Sequence, residues 1–169
     1  MSTIVADSIE PRTSGGAVTF PNRPAFAVRG YGTFSSSVSP SVNGVTLANG
    51  TDVIYNYTSI DINRDNAFNN STGIYTVPVA GLYQVHAGVG YKSSSNYLGL
   101  GLFLTSSDHV NNGYIWTWAN NDNNHTGRQL STIVEATVGQ EFAFAMSDSY
   151  SNPSNVGIYY TWFSAYMVG

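Results

Sequence analysis

Apolar and polar residues alternate along most of this chain, and they do so with a period of two. "AFAVRGY", "DVIYNYTS", "GLYQVHAGVGY", "YLGLGLFLT" and "EFAFAMS" all carry the pattern. In "GLYQVHAGVGY", Tyr83, Val85, Ala87, Val89 and Tyr91 fall on one face; Gln84, His86, Gly88 and Gly90 fall on the other. Val53, Tyr55 and Tyr57 share a face, as do Leu98, Leu100, Leu102 and Leu104, and Phe142, Phe144 and Met146. Successive side chains of a strand point to opposite faces, so each run predicts a strand with one coherent apolar side. From Pro24 onward no window of a dozen residues carries an apolar stripe at the helical period.

Asn43-Gly44, Asn49-Gly50 and Asn112-Gly113 punctuate the runs with residues that tolerate positive φ. The last of these predicts that "YIWTW" pairs with, or lies beside, the leucine-rich strand before it. Many short strands between polar turns predict an all-β sandwich, jelly roll or barrel. No repeat of fixed period appears, which argues against a propeller or solenoid.

The closing run, "GIYYTWFSAYMVG", departs from the half-polar pattern. Tyr160, Trp162 and Tyr166 fall on one face, and Tyr159, Phe163 and Met167 on the other. A strand that is apolar on both faces is covered on both faces. A partner sheet covers one of them. A second copy of the chain is the simplest cover for the other; the alternative is a tyrosine face left partly in water.

Composition sharpens this picture. Charged residues make up 9% of the 169 residues, against about 25% in typical soluble proteins. The net charge of −4 provides no basic patch for nucleic acid or anionic lipid. Asn, Ser, Thr, Gly and Tyr must solvate the surface, which suits contact through neutral faces. No cysteine is present, so no disulfide braces the fold. No apolar stretch reaches the roughly 18 residues that a membrane helix needs. "MSTIVADSIEPR" lacks a basic segment followed by an apolar run, so no secretory signal is expected. The sequons at Asn49, Asn56, Asn70 and Asn124 then read as products of an Asn-rich surface. "EPRTSGG" favours turn and extended backbone. Residues 1–23 are therefore expected to form an arm, and residues 24–169 the folded domain.

"AFNNSTGIYTVPVAGLYQVHAGVGY" resembles the signature of the globular head of the complement first component, within the tumour necrosis factor-like superfamily. Phe68, Asn69, Thr72-Gly73, Tyr75, Pro78, Gly81, Tyr83 and Val85 follow that pattern in order. "STIVEATVGQEFAFAMSD" is similar to the family's strand, Val-Gly turn and next strand, and "YYTWFSAYMVG" to its closing strand. Val85 stands where the family has Phe and Ala165 where it has Gly, and no collagen-like stalk precedes the domain. The resemblance implies a ten-strand jelly-roll sandwich that assembles as a homotrimer. It implies that Tyr160, Trp162 and Tyr166 face the threefold axis, with Gln84 and His86 near them. Tyr83, Val85, Phe142, Phe144 and Phe163 would fill the core. The strand pair within Thr72–Tyr91 would pack on the partner sheet with one face and on sister subunits with the other.

The arm, "MSTIVADSIEPRTSGGAVTFPNRPAF", resembles the lead-in of small fibre or decoration proteins of tailed bacteriophages, particularly marine ones. This implies a virion protein made in the host cytoplasm, a fibre tip, knob or decoration protein that docks on other virion structural proteins. The candidate docking residues are Ile4, Val5, Ile9 and Arg12.

Candidate chemistry is sparse. His86, His109 and His125 form no close ligand pair, and neither "DINRD" nor the surroundings of Asp148 match a calcium loop. A ring of His86 on the axis is an alternative to a hydrogen-bonded interface histidine. No Gly-x-Ser-x-Gly elbow occurs, and Asp108 with Asp122 is an unordered loop pair, so neither an enzyme nor a cofactor is expected. "NNGYIWTWANNDNNH" concentrates aromatic and amide side chains of the kind that stack on and hydrogen-bond to sugars. Tyr114, Trp116, Trp118, Asn121 and Asp122 are the candidate contacts for a host surface polysaccharide. In the competing reading, Trp116 and Trp118 point into core or interface and the Asn run is a hairpin loop. A lectin-like domain outside any virion is the alternative function.

Overall fold

The computed structural model describes residues 23–31, 41–42, 45–46, 51–93, 97–104, 115–120, 126–147 and 156–168. Its strands are β1 (Ala25–Gly30), β2 (Ser41–Val42), β3 (Val45–Thr46), β4 (Thr51–Val53), β5 (Ser59–Asn63), β6 (Phe68–Asn69), β7 (Ile74–Thr76), β8 (Gly81–Ser93), β9 (Tyr97–Leu104), β10 (Ile115–Asn120), β11 (Thr126–Ala136), β12 (Glu141–Ser147) and β13 (Val156–Met167). The only helical element among the described residues is a single 3-10 turn, Arg64–Asn66, after β5.

Two antiparallel sheets face each other. The first runs β11-β8-β13-β1-β5 and the second β10-β9-β12-β7-β6. A two-stranded β2–β3 ladder belongs to neither sheet, though β2 lies against β12. β4 also joins β12, through Ala145↔Val53 to Ser147↔Thr51, while β7 pairs with Glu141 to Ala143 of the same edge. β4 and β7 therefore lie end to end against β12, and each sheet is five strand positions wide. The result is the jelly-roll sandwich that the period-two runs and turns predict. β9 and β10 pair as expected, from Leu102↔Ile115 to Tyr97↔Asn120.

The core lies between the sheets and is mostly aromatic. Phe26 of β1 stacks on Phe68 at 4.9 Å and on Tyr75 at 4.5 Å, and meets Phe163 edge-on at 4.7 Å. Phe26 and Phe163 belong to the first sheet, Phe68 and Tyr75 to the second, so this cluster joins the two layers. Tyr83, Val85, Phe142, Phe144 and Phe163 are fully buried, as expected. Burial of each such side chain stabilises the fold by roughly 1.5–3 kcal/mol.

Two local expectations need correction. "DVIYNYTS" is not one strand: β4 ends at Val53, and Asn56 adopts a left-handed backbone with φ 54. Asn70 is the reason. Its side chain accepts from the Tyr57 amide at 2.8 Å and donates to the Tyr57 carbonyl at 3.0 Å, and its carbonyl accepts from the Asn56 amide. These bonds pull the segment out of the ladder.

The second correction concerns Thr72–Tyr91. β7 and β8 are not paired with each other; β7 lies in the second sheet and β8 in the first. The stretch around Pro78 crosses between layers, and Tyr75 and Tyr83 meet across the gap with ring centroids 6.3 Å apart. Of these two strands, only β8 contributes to the outer face of the first sheet. Gly73 of the Thr72-Gly73 pair adopts φ +72, and a Cβ there would collide with the Ile54 carbonyl, so glycine is required.

Pro24 and Arg23 begin the described domain. The Met167 amide donates to the Pro24 carbonyl at 3.0 Å, and the Arg23 guanidinium donates to the Val168 carbonyl at 3.2 Å. Residues 1–22 lie outside the described residues, and with them Ile4, Val5, Ile9 and Arg12.

Candidate functional site

The outer face of the first sheet, turned away from the second, is built in rows. Cα partners in antiparallel strands point the same way, so the registers give the face directly. One row reads Ile133, Gln84, Tyr166, Ala25; the next reads Ser131, His86, Ser164, Ala27; the third reads Gln129, Gly88, Trp162, Arg29. Gly90 and Tyr160 continue it, and Glu135 and Leu82 close the other end. The sequence assigned Gln84, His86, Tyr160, Trp162 and Tyr166 to one surface. The fold does bring all five together, on β8 and β13.

This face exposes apolar surface in the single chain. Ile133 is 56% exposed, Tyr166 46%, Tyr160 45% and Leu82 44%. Trp162 is only half-buried, because its indole lies over Gly88 and occupies the space a Cβ would need. The apolar surface is therefore shared among several residues instead of resting mainly on Trp162. Tyr160 and Trp162 pack against each other at 6.2 Å, and His86 stacks on Tyr166 at 6.3 Å with the rings 21° apart.

Charge is confined to the margins of the face. Arg29 donates to Asp61 at 2.7 Å at the β1–β5 side, and both are exposed. Arg29, together with the Ser59 hydroxyl, holds the Asp61 carboxyl below the usual carboxylate range. Glu135 stands at the β11 side. Between these margins the polar groups are neutral, and Gln84 is fixed by donating to the Ser131 hydroxyl at 3.0 Å and the Thr132 carbonyl at 3.1 Å. Leu82, Ile133 and the Gly88 notch belong to this surface as well. Alternation within β8 already set Gly88 beside Gln84 and His86, but sequence reasoning missed Ile133, because its facing depends on the β11–β8 register.

The described residues contain no group of three or more metal-ligating side chains within the chain. Asp61 of "DINRD" is engaged by Arg29 and Ser59, while Asp65 lies in the following 3-10 turn. Of the candidate sugar contacts, Trp116 and Trp118 lie on β10, at one edge of the second sheet, opposite Gly101 and Gly99. Their side chains, and Tyr114, Asn121 and Asp122, lie outside the described residues.

Two antiparallel five-position sheets with this strand order define a jelly roll of the complement-head and tumour necrosis factor-like type. Solved structures agree. The chain superposes on the globular domain of zebrafish complement 1qA protein with a TM-score of 0.55 at 14% identity, covering 87% of this chain and 98% of that one. It superposes on murine APRIL with a TM-score of 0.58 at 8% identity, covering 86% of this chain and 99% of that one. At such identities the likeness shows the fold alone. No family model matches the chain, and no curated protein matches it in sequence.

Proposed function

We propose that this chain is a non-enzymatic assembly head, in which three copies bury the outer faces of their first sheets against one another. The neutral, apolar outer face carries this reading: Ile62, Leu82, Ile133, Tyr160 and Tyr166 are each more than two-fifths exposed in a single copy. A monomer seldom leaves such a patch in water, and charge only at its margins is the arrangement of a surface meant to be dry. The complement-head and tumour necrosis factor-like fold supports the same reading, since the resemblance in sequence implies a trimer.

The finer role is that of a structural protein of a tailed-phage particle, a fibre tip, knob or decoration protein carried in the virion. Residues 1–23 serve as the arm that docks on other virion proteins, through Ile4, Val5, Ile9 and Arg12. The support for this is the lead-in sequence and the scarcity of charge. Recognition of a host polysaccharide through Tyr114, Trp116, Trp118, Asn121 and Asp122 is its attachment function. The same residues underlie the second reading, a carbohydrate-binding domain outside any virion.

Light scattering after gel filtration tests the assembly. The chain should elute as a trimer, and Trp162→Glu as a folded monomer with an unchanged circular dichroism spectrum. A monomeric wild-type chain at micromolar concentration overturns the reading. Deletion of residues 1–23 should keep the trimer and abolish attachment to phage particles. Glycan-array binding without attachment to particles would favour the second reading.

A further inference from the structure

We propose that protonation of His86 drives the assembly apart, so that the copies hold together near neutral pH and separate in mild acid. This rests on the reading that sister copies cover the outer face of the first sheet.

His86 sits on β8, second in the row Ser131, His86, Ser164, Ala27, Ile62. Its neighbours on the adjoining strands are small hydroxyl residues, and its ring rests on Tyr166. From β11 the groups beside it are Ser131 and Gln129, with Glu135 four residues further along, roughly 13 Å at the rise of a strand. From β13 they are Ser164, Trp162 and the phenols of Tyr160 and Tyr166. From β1 and β5, on the far side of β13, come Arg29 and Asp61, which are paired with each other, while Arg23 and Arg64 line a pocket beside Tyr166. Among the described residues of the same chain, no carboxylate stands ready to receive a proton-bearing imidazole.

Covering the face removes water from His86, and no carboxylate among its described neighbours in the same chain offsets that loss. Desolvation disfavours the charged form, while a histidine in water takes up a proton near pH 6.5. The separated copies therefore bind protons that the assembly excludes. By linkage, acid pulls the equilibrium toward separation. Every copy in a trimer contributes one such ring, so the effect is multiplied by three.

Sedimentation velocity on the full chain between pH 8 and pH 5 tests this. Below about pH 6.5 the overall dissociation constant should rise by up to about a thousandfold per pH unit, as three protons per trimer require. Circular dichroism should stay unchanged. His86→Gln cannot take up the proton. Its affinity at pH 8 can differ, but its dependence on pH between 8 and 5 should be flat, and His86→Asn provides a second neutral variant. A wild-type trimer whose dissociation constant does not move between pH 8 and 5 overturns the proposal, as does an equal pH dependence in the variants. A wild-type chain that is already monomeric at pH 8 overturns the covered-face reading itself, and this proposal with it.

Discussion

The indole of Trp162 lies across Gly88 on the neighbouring strand, so the largest side chain of the outer face is seated in its smallest position. The two residues are Cα partners, and the missing side chain at Gly88 gives the ring a notch to lie in. The face is thereby flattened, which suits close packing of one sheet on a sister subunit.

Gly88→Ala should therefore be costly where Gly90→Ala is not. A methyl at Gly88 meets the Trp162 ring, whereas at Gly90 the nearest atom is the Tyr160 carbonyl at an ordinary 3.7 Å. Neither glycine requires positive φ, so the contrast is purely steric. Urea denaturation should show a loss of roughly 1–3 kcal/mol for Gly88→Ala and a change within about 0.5 kcal/mol for Gly90→Ala. Equal losses would show that the notch is unimportant.

Asn70 holds the segment after β4 by two bonds to the main chain of the buried Tyr57. Asn70→Ala leaves a buried amide and carbonyl without those partners. The expected loss is roughly 1–3 kcal/mol by denaturant titration. Asn70→Asp, which retains the acceptor and loses the donor, should fall between Ala and wild type. A wild-type midpoint for Asn70→Ala would contradict this role.

The Tyr57 and Tyr75 hydroxyls are buried without a hydrogen-bond partner. Thr161 stands near enough to Tyr57 to temper the rise, but makes no hydrogen bond to it. Burial pushes both phenols well above their ordinary value of 10.0. A phenol raised in the folded state loses its proton more readily once unfolded, so its contribution is intact below pH 10 and declines above it. The decline should approach 1.4 kcal/mol per pH unit per phenol, or about tenfold in the folding constant. Tyr57→Phe should match or exceed wild-type stability at pH 7 and fall less steeply between pH 10 and 12. An equal fall would mean that burial does not hold the Tyr57 proton, and a loss of stability at pH 7 would mean that the hydroxyl is satisfied in solution.

The jelly roll was legible because its signals are local and repeated. Val85, Phe142 and Phe144 alternate with polar or small neighbours, and these three, with Tyr83 and Phe163 at inward positions of their runs, are all buried. Alternation gave the outward residues of each strand separately, and the resemblance implied that Gln84 and His86 stand near Tyr160, Trp162 and Tyr166. What failed was pairing over distance. Nothing within Thr72–Tyr91 says that β7 and β8 part into different sheets, because both sheets want the same inward tyrosines. Nothing in "DVIYNYTS" announces that Asn70, thirteen residues beyond Tyr57, will take its backbone bonds. Ile133 reads as an ordinary alternating residue until the β11–β8 register sets it beside Gln84.

β13 lies at the centre of the first sheet, between β8 and β1, with Ala25 opposite Tyr166. The earliest described strand thus waits for the latest. While a ribosome is still short of residues 156–167, β1 and β8 have no bridge between them, and the outer face lacks Tyr160, Trp162 and Tyr166. Pairing over so long a stretch of chain closes late, so the first sheet is completed only once the last described strand has been made.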